Sequence, residues 1–171
     1  MSPRGQTWVF GYGSLIWKQG FPFADSRPGH IVGWARRFWQ GSHDHRGLPH
    51  APGRVVTLVA DPGARCDGRA FLVGPAVFAH LDHREKNGYE RVPVDIHFED
   101  GPVRGVVYRA HEGNHAFLGP APLDSMVEQI QRARGPSGSN RDYVLELARA
   151  LRGLGVEDEH VFALERRLLG C

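Results

Sequence analysis

Apolar and polar residues follow two rhythms along this chain, and the change comes beyond Ala110. Up to that point the pattern is mostly that of strands. Thr7-Trp8-Val9-Phe10 is a short aromatic and β-branched run stopped by Gly11. His30 to Trp39 carries Ile31, Val32, Trp34, Phe38 and Trp39 and reads as one long or bent strand. Gly41 to Gly53 is rich in His, Gly and Pro and reads as a loop, a long one for a compact domain. Long ordered loops carry function more often than short ones. Arg54 to Val59 is the next strand, Asp61-Pro62-Gly63 a turn, and Gly68 to Val73 a further strand. Arg91 to Phe98 alternates Val92, Val94, Ile96 and Phe98, the period of a half-buried strand. Asp100-Gly101-Pro102 turns the chain into Val103 to Ala110, which predicts a hairpin.

Helical spacing is mostly late. Pro75 opens a short helix with Val77, Phe78 and Leu81 on one face. Leu123, Met126, Val127 and Ile130 predict a helix over Leu123 to Arg134, ended by the tight loop Gly135-Pro136-Ser137-Gly138. Ser139 or Asn140 caps a helix through Arg152, with Tyr143, Val144, Leu147, Ala148 and Leu151 inward. Glu159 to Leu169 is a last amphipathic helix. Strands first and helices last, without βαβ alternation, predict an α+β fold with a mostly antiparallel sheet or small barrel.

Composition narrows the class. A chain of 171 residues, 41% hydrophobic and 23% charged, fits one globular domain over 1–171 that needs no disulfide or metal to hold it. Net charge is +2, and basic residues alternate with acidic ones, which argues against nucleic acid as a partner. No run approaches the ~18 apolar residues of a membrane span, and the N-terminal residues lack the apolar core of a signal peptide. Cys66, in the expected turn, and Cys171 have no C-x-x-C neighbour and read as thiols in a reducing cytosol. The expected location is cytoplasmic, and oligomeric state is left open.

Three features carry candidate chemistry. Gly11-Tyr12-Gly13-Ser14-Leu15 follows a strand directly, and its glycines permit a sharp turn with uncovered N–H groups, suited to an anion or oxyanion. It lacks the third glycine of a dinucleotide fingerprint and the Lys of a P-loop, so by itself it fits a plain turn as well. Glu85 stands four residues after Leu81 and shares its inward face if the helix reaches it. Buried there, its pKa would rise toward the range of acid/base work; at a frayed helix end it would sit in solvent. His43-Asp44-His45 with His50, and His80 with His83, have spacings that suit metal, but no full metal signature accompanies them, and solvated loop histidines account for them.

Together these segments resemble the ChaC family, the glutathione-specific γ-glutamylcyclotransferases. Val9-Phe10-Gly11-Tyr12-Gly13-Ser14-Leu15-Ile16-Trp17-Lys18 is similar to the family's opening motif. Arg36 to Ser42, Asp44 to Gly47 and Pro52 to Leu58 resemble its next blocks, and Arg84-Glu85-Lys86 with Gly88-Tyr89 the segment bearing its catalytic glutamate. Leu118 to Leu123, Gly135 to Gly138 with Asn140 and Tyr143, and Glu159 to Glu165 continue the likeness, which runs from about Trp8 to Leu169. The compact chain resembles the shorter, eukaryotic-type branch.

The resemblance implies a small mixed barrel with flanking helices, the γ-glutamylcyclotransferase-like fold. It implies glutathione as the small-molecule substrate, Glu85 as catalytic acid/base, and a substrate pocket lined by Val9, Phe10, Gly11, Tyr12, Gly13, Ser14 and Leu15. It implies no metal and no cofactor. Tyr12, Tyr89 and Tyr143 are candidate donors around the γ-glutamyl group, each also explicable as core packing; Tyr143 joins the substrate-binding set with Tyr12. Arg36 or Arg37 is a candidate for the glycine carboxylate, but not both, because alternate strand residues point oppositely. Two positions depart from the pattern: Phe71 stands where a tyrosine is expected, and Asn87 where a small residue is common. Three alternatives remain at this point: a cyclotransferase for another γ-glutamyl amide, a metal hydrolase using His43, His45 and His50, and a non-catalytic glutathione-binding or scaffold protein.

Overall fold

The computed structural model describes residues 5–82 and 89–170. Five strands form a closed barrel in the order β1 (Thr7–Gly11), β3 (Gly53–Val73), β2 (Asp25–Ser42), β4 (Tyr89–Phe98), β5 (Gly101–Ala110). The β1–β3, β2–β4 and β4–β5 pairings are antiparallel, and β1 meets β5 in parallel at Val9 and Val106. The expected mixed, mostly antiparallel barrel is therefore present, and closure removes the exposed edges of an open sheet. A 3-10 helix (Ser14–Ile16) follows β1. The α-helices among the described residues are α1 (Pro75–Asp82), α2 (Leu123–Arg132), α3 (Asn140–Gly153) and α4 (Glu159–Leu168).

The chain divides into two compact units, Met1–Ala35 with Leu58–His111, and Arg36–Thr57 with Glu112–Cys171. In the first, Val9, Phe71, Val73, Leu81 and Tyr108 form one buried cluster, with Leu15, Val77 and Phe78 packed against it. Alternation in β4 buries Val94, Ile96 and Phe98 as expected. Phe98 pairs with Gly101, so Glu99 and Asp100 turn the chain; neither has a positive φ, and Gly101 directly after them supplies it (+124°), the pattern of a turn closed by a glycine bulge.

In the second unit, Tyr143, Val144, Leu147, Ala148 and Leu151 all face inward from α3, and Val161, Leu164 and Leu168 from α4. Ser139 is the cap of α3, its Oγ accepting the Asp142 N–H at 3.1 Å, and Asp158 caps α4 by accepting the Val161 N–H.

Two expectations are corrected. Asp61-Pro62-Gly63 does not reverse the chain, because β3 runs through it as one strand of 21 residues. The Asp61 carboxylate does accept the Gly63 N–H at 3.3 Å, so the local turn chemistry is present inside an exposed stretch of strand. Cys66 consequently lies buried in β3 and not in a turn. The helix expected to reach Arg134 ends at Arg132: Ala133 is extended, and β6 (Arg134–Gly135) pairs with β7 (Gly138–Ser139) across the tight loop.

Candidate functional site

In the first unit the predicted cradle is a sharp strand-to-helix turn. Val9, Phe10, Gly11, Tyr12 and Gly13 are buried, Ser14 is exposed and Leu15 half-buried. Its tightness has a steric cause: a Cβ on Gly68 would lie 2.2 Å from the Gly11 carbonyl oxygen, and one on Gly11 would lie 2.9 Å from Leu15 Cβ. The carbonyls of Gly13 and Ser14 accept from Ile16 and Trp17 at 3.0 and 3.1 Å. The leading N–H groups of such a helix have no intrahelical acceptor and point outward. The Tyr12 hydroxyl donates to the Tyr108 carbonyl at 2.8 Å, which ties the turn to β5.

Glu85 lies outside the described residues, as do His83 and Asn87. The described chain stops after α1, whose Leu81 belongs to the same buried cluster as Val9. It resumes at Tyr89, which pairs with Ala110 in β5. Glu90, next to it, accepts from Arg109 at 2.9 Å, while that guanidinium stacks over Trp34 and donates to the Leu58 carbonyl. Phe71, the departure from the expected tyrosine, is 1% exposed among Val9, Val73, Leu81 and Tyr108 and meets the Phe21 and Phe23 rings. In that apolar setting the ring serves packing, and a hydroxyl would need a partner.

The second unit holds Tyr143, buried, with the Arg46 guanidinium 5.6 Å over its ring and the Phe38 ring edge-on at 5.9 Å. Its hydroxyl oxygen accepts the Val56 N–H at 3.4 Å. Arg36 is committed to Asp158 at 2.9 Å, both side chains being largely buried, and Arg37 donates to the Arg36 carbonyl. Of the loop histidines, His45 and His50 are exposed, the His45 ring reaching Ser137 Oγ at 3.1 Å with its side chain 70% exposed, and His43 is half-buried. Among the described residues no three His, Cys, Asp or Glu side chains group to hold a metal ion.

Sequence reasoning assigned no role to a network behind Tyr143. Arg54 is buried and donates to the Phe38 and Gly119 carbonyls at 2.9 and 3.0 Å and to Gln129 Oε1 at 2.7 Å. Burial pulls its guanidinium below the ordinary arginine range. Asn140 exchanges two hydrogen bonds with the Arg54 backbone, at 2.7 and 2.8 Å. His160 accepts the Phe38 N–H on Nε2 at 3.0 Å. Burial foremost, then the Arg37 guanidinium, lowers its pKa to about 4, with Asp158 opposing. The signal for these residues lay in the ordered motif blocks, not in any periodicity.

Comparison with known proteins places this architecture. The family model described as ChaC-like protein matches residues 7–169. The chain is 45% identical over 174 aligned residues to "Gamma-glutamylcyclotransferase 2-3" of Arabidopsis thaliana, covering 94% of this chain and 87% of that one. It is 40% identical to "Glutathione-specific gamma-glutamylcyclotransferase 1" of Homo sapiens, covering 92% and 76%. The crystal structure of a selenomethionine-labelled γ-glutamyl cyclotransferase specific to glutathione from yeast superposes with a TM-score of 0.88 at 30% identity, covering 97% and 96% of the two chains. The motif order, the barrel and the match across nearly the whole length agree, and the chain belongs to the ChaC-like protein family.

Proposed function

We propose that the protein is a glutathione-specific γ-glutamylcyclotransferase, a cytoplasmic lyase that converts glutathione to 5-oxoproline and Cys-Gly. The observation that carries this reading is the match over almost the whole chain to relatives from human and fission yeast named for that activity, at 40% and 41% identity. The chemistry needs little machinery. The substrate's own α-amine attacks its γ-carbonyl and closes a five-membered ring, so no water and no protein nucleophile enters. Because the attack is intramolecular, much of the orientational entropy is already settled.

Three tasks remain: the α-ammonium must lose a proton, the tetrahedral oxyanion needs donors, and the leaving amide nitrogen must gain a proton. Glu85 is the shuttle for the first and last. Its assignment is supported by the chain on either side: Leu81 and Tyr89 both belong to the unit that carries Val9 to Leu15. The N–H groups of Tyr12 to Leu15 serve the oxyanion or a substrate carboxylate, Ser14 adds an exposed hydroxyl, and Tyr143 is a candidate donor to the γ-glutamyl group.

Incubation with glutathione in heavy-oxygen water tests the reading. Ring closure replaces one nitrogen by another, so 5-oxoproline should appear with Cys-Gly and carry no solvent oxygen at its ring carbonyl. Labelled glutamate as the primary product would overturn it. Turnover of other γ-glutamyl amides with glutathione untouched would move the substrate within the same chemistry.

A further inference from the structure

Arg46 lies in the second unit, on the stretch between β2 and β3, and only 9% of its surface is exposed. A guanidinium buried to that degree is ordinarily matched by a carboxylate. Here Nη1 donates to the Ser139 carbonyl at 3.1 Å, and the group stands 5.6 Å over the Tyr143 ring, both partners being in the same unit. Among the described residues no carboxylate pairs with it, and Nε and Nη2 have no acceptor. The acidic groups close to it in sequence or along α3 face solvent: Asp44 has its side chain 81% exposed beside His45, and Asp142 is exposed in the first turn of α3. Among the described residues no fully buried side-chain nitrogen or oxygen lacks a hydrogen-bond partner, so Nε and Nη2 are open to solvent.

We propose that the second unit holds a carboxylate-binding site, with Arg46 as its cation and Nε and Nη2 as its paired donors. These two nitrogens share one edge of the planar guanidinium, the edge that meets both oxygens of a carboxylate in parallel hydrogen bonds. The surroundings favour an anion. Ser139 caps α3, so the bond to its carbonyl sets the guanidinium at the N-terminal end of that helix, where the macrodipole also attracts negative charge. One guanidinium balances one negative charge, which selects a carboxylate over a doubly charged phosphate. The donor edge is held in place beforehand, which lowers the entropic cost of binding. The Arg46 N–H donates to Ser42 Oγ at 2.9 Å, and the His45 carbonyl accepts the Ser137 N–H at 2.9 Å. Gly138 takes a φ of +118°, and a Cβ there would come within 3.1 Å of Nη1, so the glycine leaves the room that the guanidinium fills. Every group named here belongs to the second unit, and the inference does not rest on the proposed function.

The test follows the assigned Arg46 Nε–H resonance of the whole ¹⁵N-labelled protein at constant ionic strength. The probes are N-acetylglycine, acetate, the neutral N-acetylglycinamide and inorganic phosphate. Two charge-assisted bonds to a small anion correspond to a Kd on the order of 1–10 mM. Both carboxylates should shift the resonance saturably in that range, and the neutral amide should leave it in place. Tighter binding of N-acetylglycine than of acetate assigns the site to a peptide C-terminus, and equal binding assigns it to a simple organic acid; either result supports the proposal. Read on the Tyr143 amide resonance, Arg46→Lys, which keeps the charge without the fork, should weaken N-acetylglycine about 10-fold, and Arg46→Gln should abolish the shift. Circular dichroism confirms the fold of both variants. No saturable shift of Arg46 with either carboxylate, an equal shift with the neutral amide, or phosphate binding more tightly than both carboxylates would overturn the proposal. An unchanged Kd in a natively folded variant would overturn it as well. If neither variant folds, the wild-type Nε–H titrations decide alone, because they report on the Arg46 donor itself.

Discussion

The Tyr12 hydroxyl donates its proton to the backbone carbonyl of Tyr108 at 2.8 Å, a bond spanning 96 residues of sequence. A phenol has one proton, so Tyr12 cannot also donate to a substrate oxygen through its side chain. Its part in the proposed site falls to its backbone N–H, with the side chain holding the turn in place. Tyr12→Phe should therefore destabilise the protein by about 1 kcal/mol and reduce turnover far less than loss of the general base. Denaturant unfolding alongside a Cys-Gly assay checks both, and a Tyr12→Phe protein of wild-type stability would contradict the tether.

Glu85→Gln should abolish turnover while leaving the fold and glutathione binding largely intact. A general acid/base group typically contributes about 10²–10⁴-fold, and here one carboxylate has two of the three tasks. Glu90 is a poor substitute because its carboxylate is engaged by Arg109. Single-turnover assays on the variant decide, and near wild-type rates would move the role elsewhere.

The helices and the hairpin were legible because each is announced locally. Ser139 caps α3, the apolar face of α3 repeats at helical spacing, and the Glu99-Asp100 loop is followed by a glycine free to take a positive φ. The strand β3 was misread for the same reason, since Asp61-Pro62-Gly63 carries turn chemistry that acts only within the strand. What was not legible is long-range. Arg54 and Asn140 are separated by 86 residues, and nothing in the local pattern of either names the other. The family resemblance marked both blocks, but only the fold shows that the Asn140 side chain holds the Arg54 backbone through two hydrogen bonds. Tyr143 was placed by resemblance, and its packing partners Phe38 and Arg46 emerge only from the fold.

Stability should fall in mild acid through His160. Its folded pKa, about 4, lies below the ordinary value of 6.5. The folded state thus binds fewer protons than the unfolded state between those values. The sign follows from linkage: the contribution is present above about pH 6.5 and is lost as pH falls toward 4, amounting to at most about 3 kcal/mol. Urea unfolding from pH 7.5 to 4.5 should show this slope in the wild type and a shallower one in His160→Gln, which has no proton to gain. Equal slopes would remove His160 as the cause.

Asn140→Asp should show the opposite pH dependence. Asn140 is fully buried; its Oδ1 accepts the Arg54 N–H at 2.7 Å and its Nδ2 donates to the Arg54 carbonyl at 2.8 Å. An ionised aspartate would keep the first bond and set an oxygen against the Arg54 carbonyl where a donor had been. Two effects then compete. The start of α3 favours a negative charge by about 0.3–1 kcal/mol, and up to ~2 in partly buried settings. Burying a carboxylate without a full complement of donors costs several kcal/mol, so the second wins and the folded-state pKa of the new carboxyl rises above its unfolded value near ~3.9. The protonated carboxyl restores the pattern, its carbonyl accepting from Arg54 N–H and its hydroxyl donating to Arg54 C=O. A group whose pKa is raised by folding contributes most below its unfolded value and loses that contribution as pH climbs through the folded one. The deficit of Asn140→Asp relative to wild type should accordingly widen from pH 4.5 to 7.5. Paired urea titrations of the two proteins measure it directly; a deficit that is constant or narrows with rising pH would mean that Asn140 does not hold the Arg54 backbone in this way.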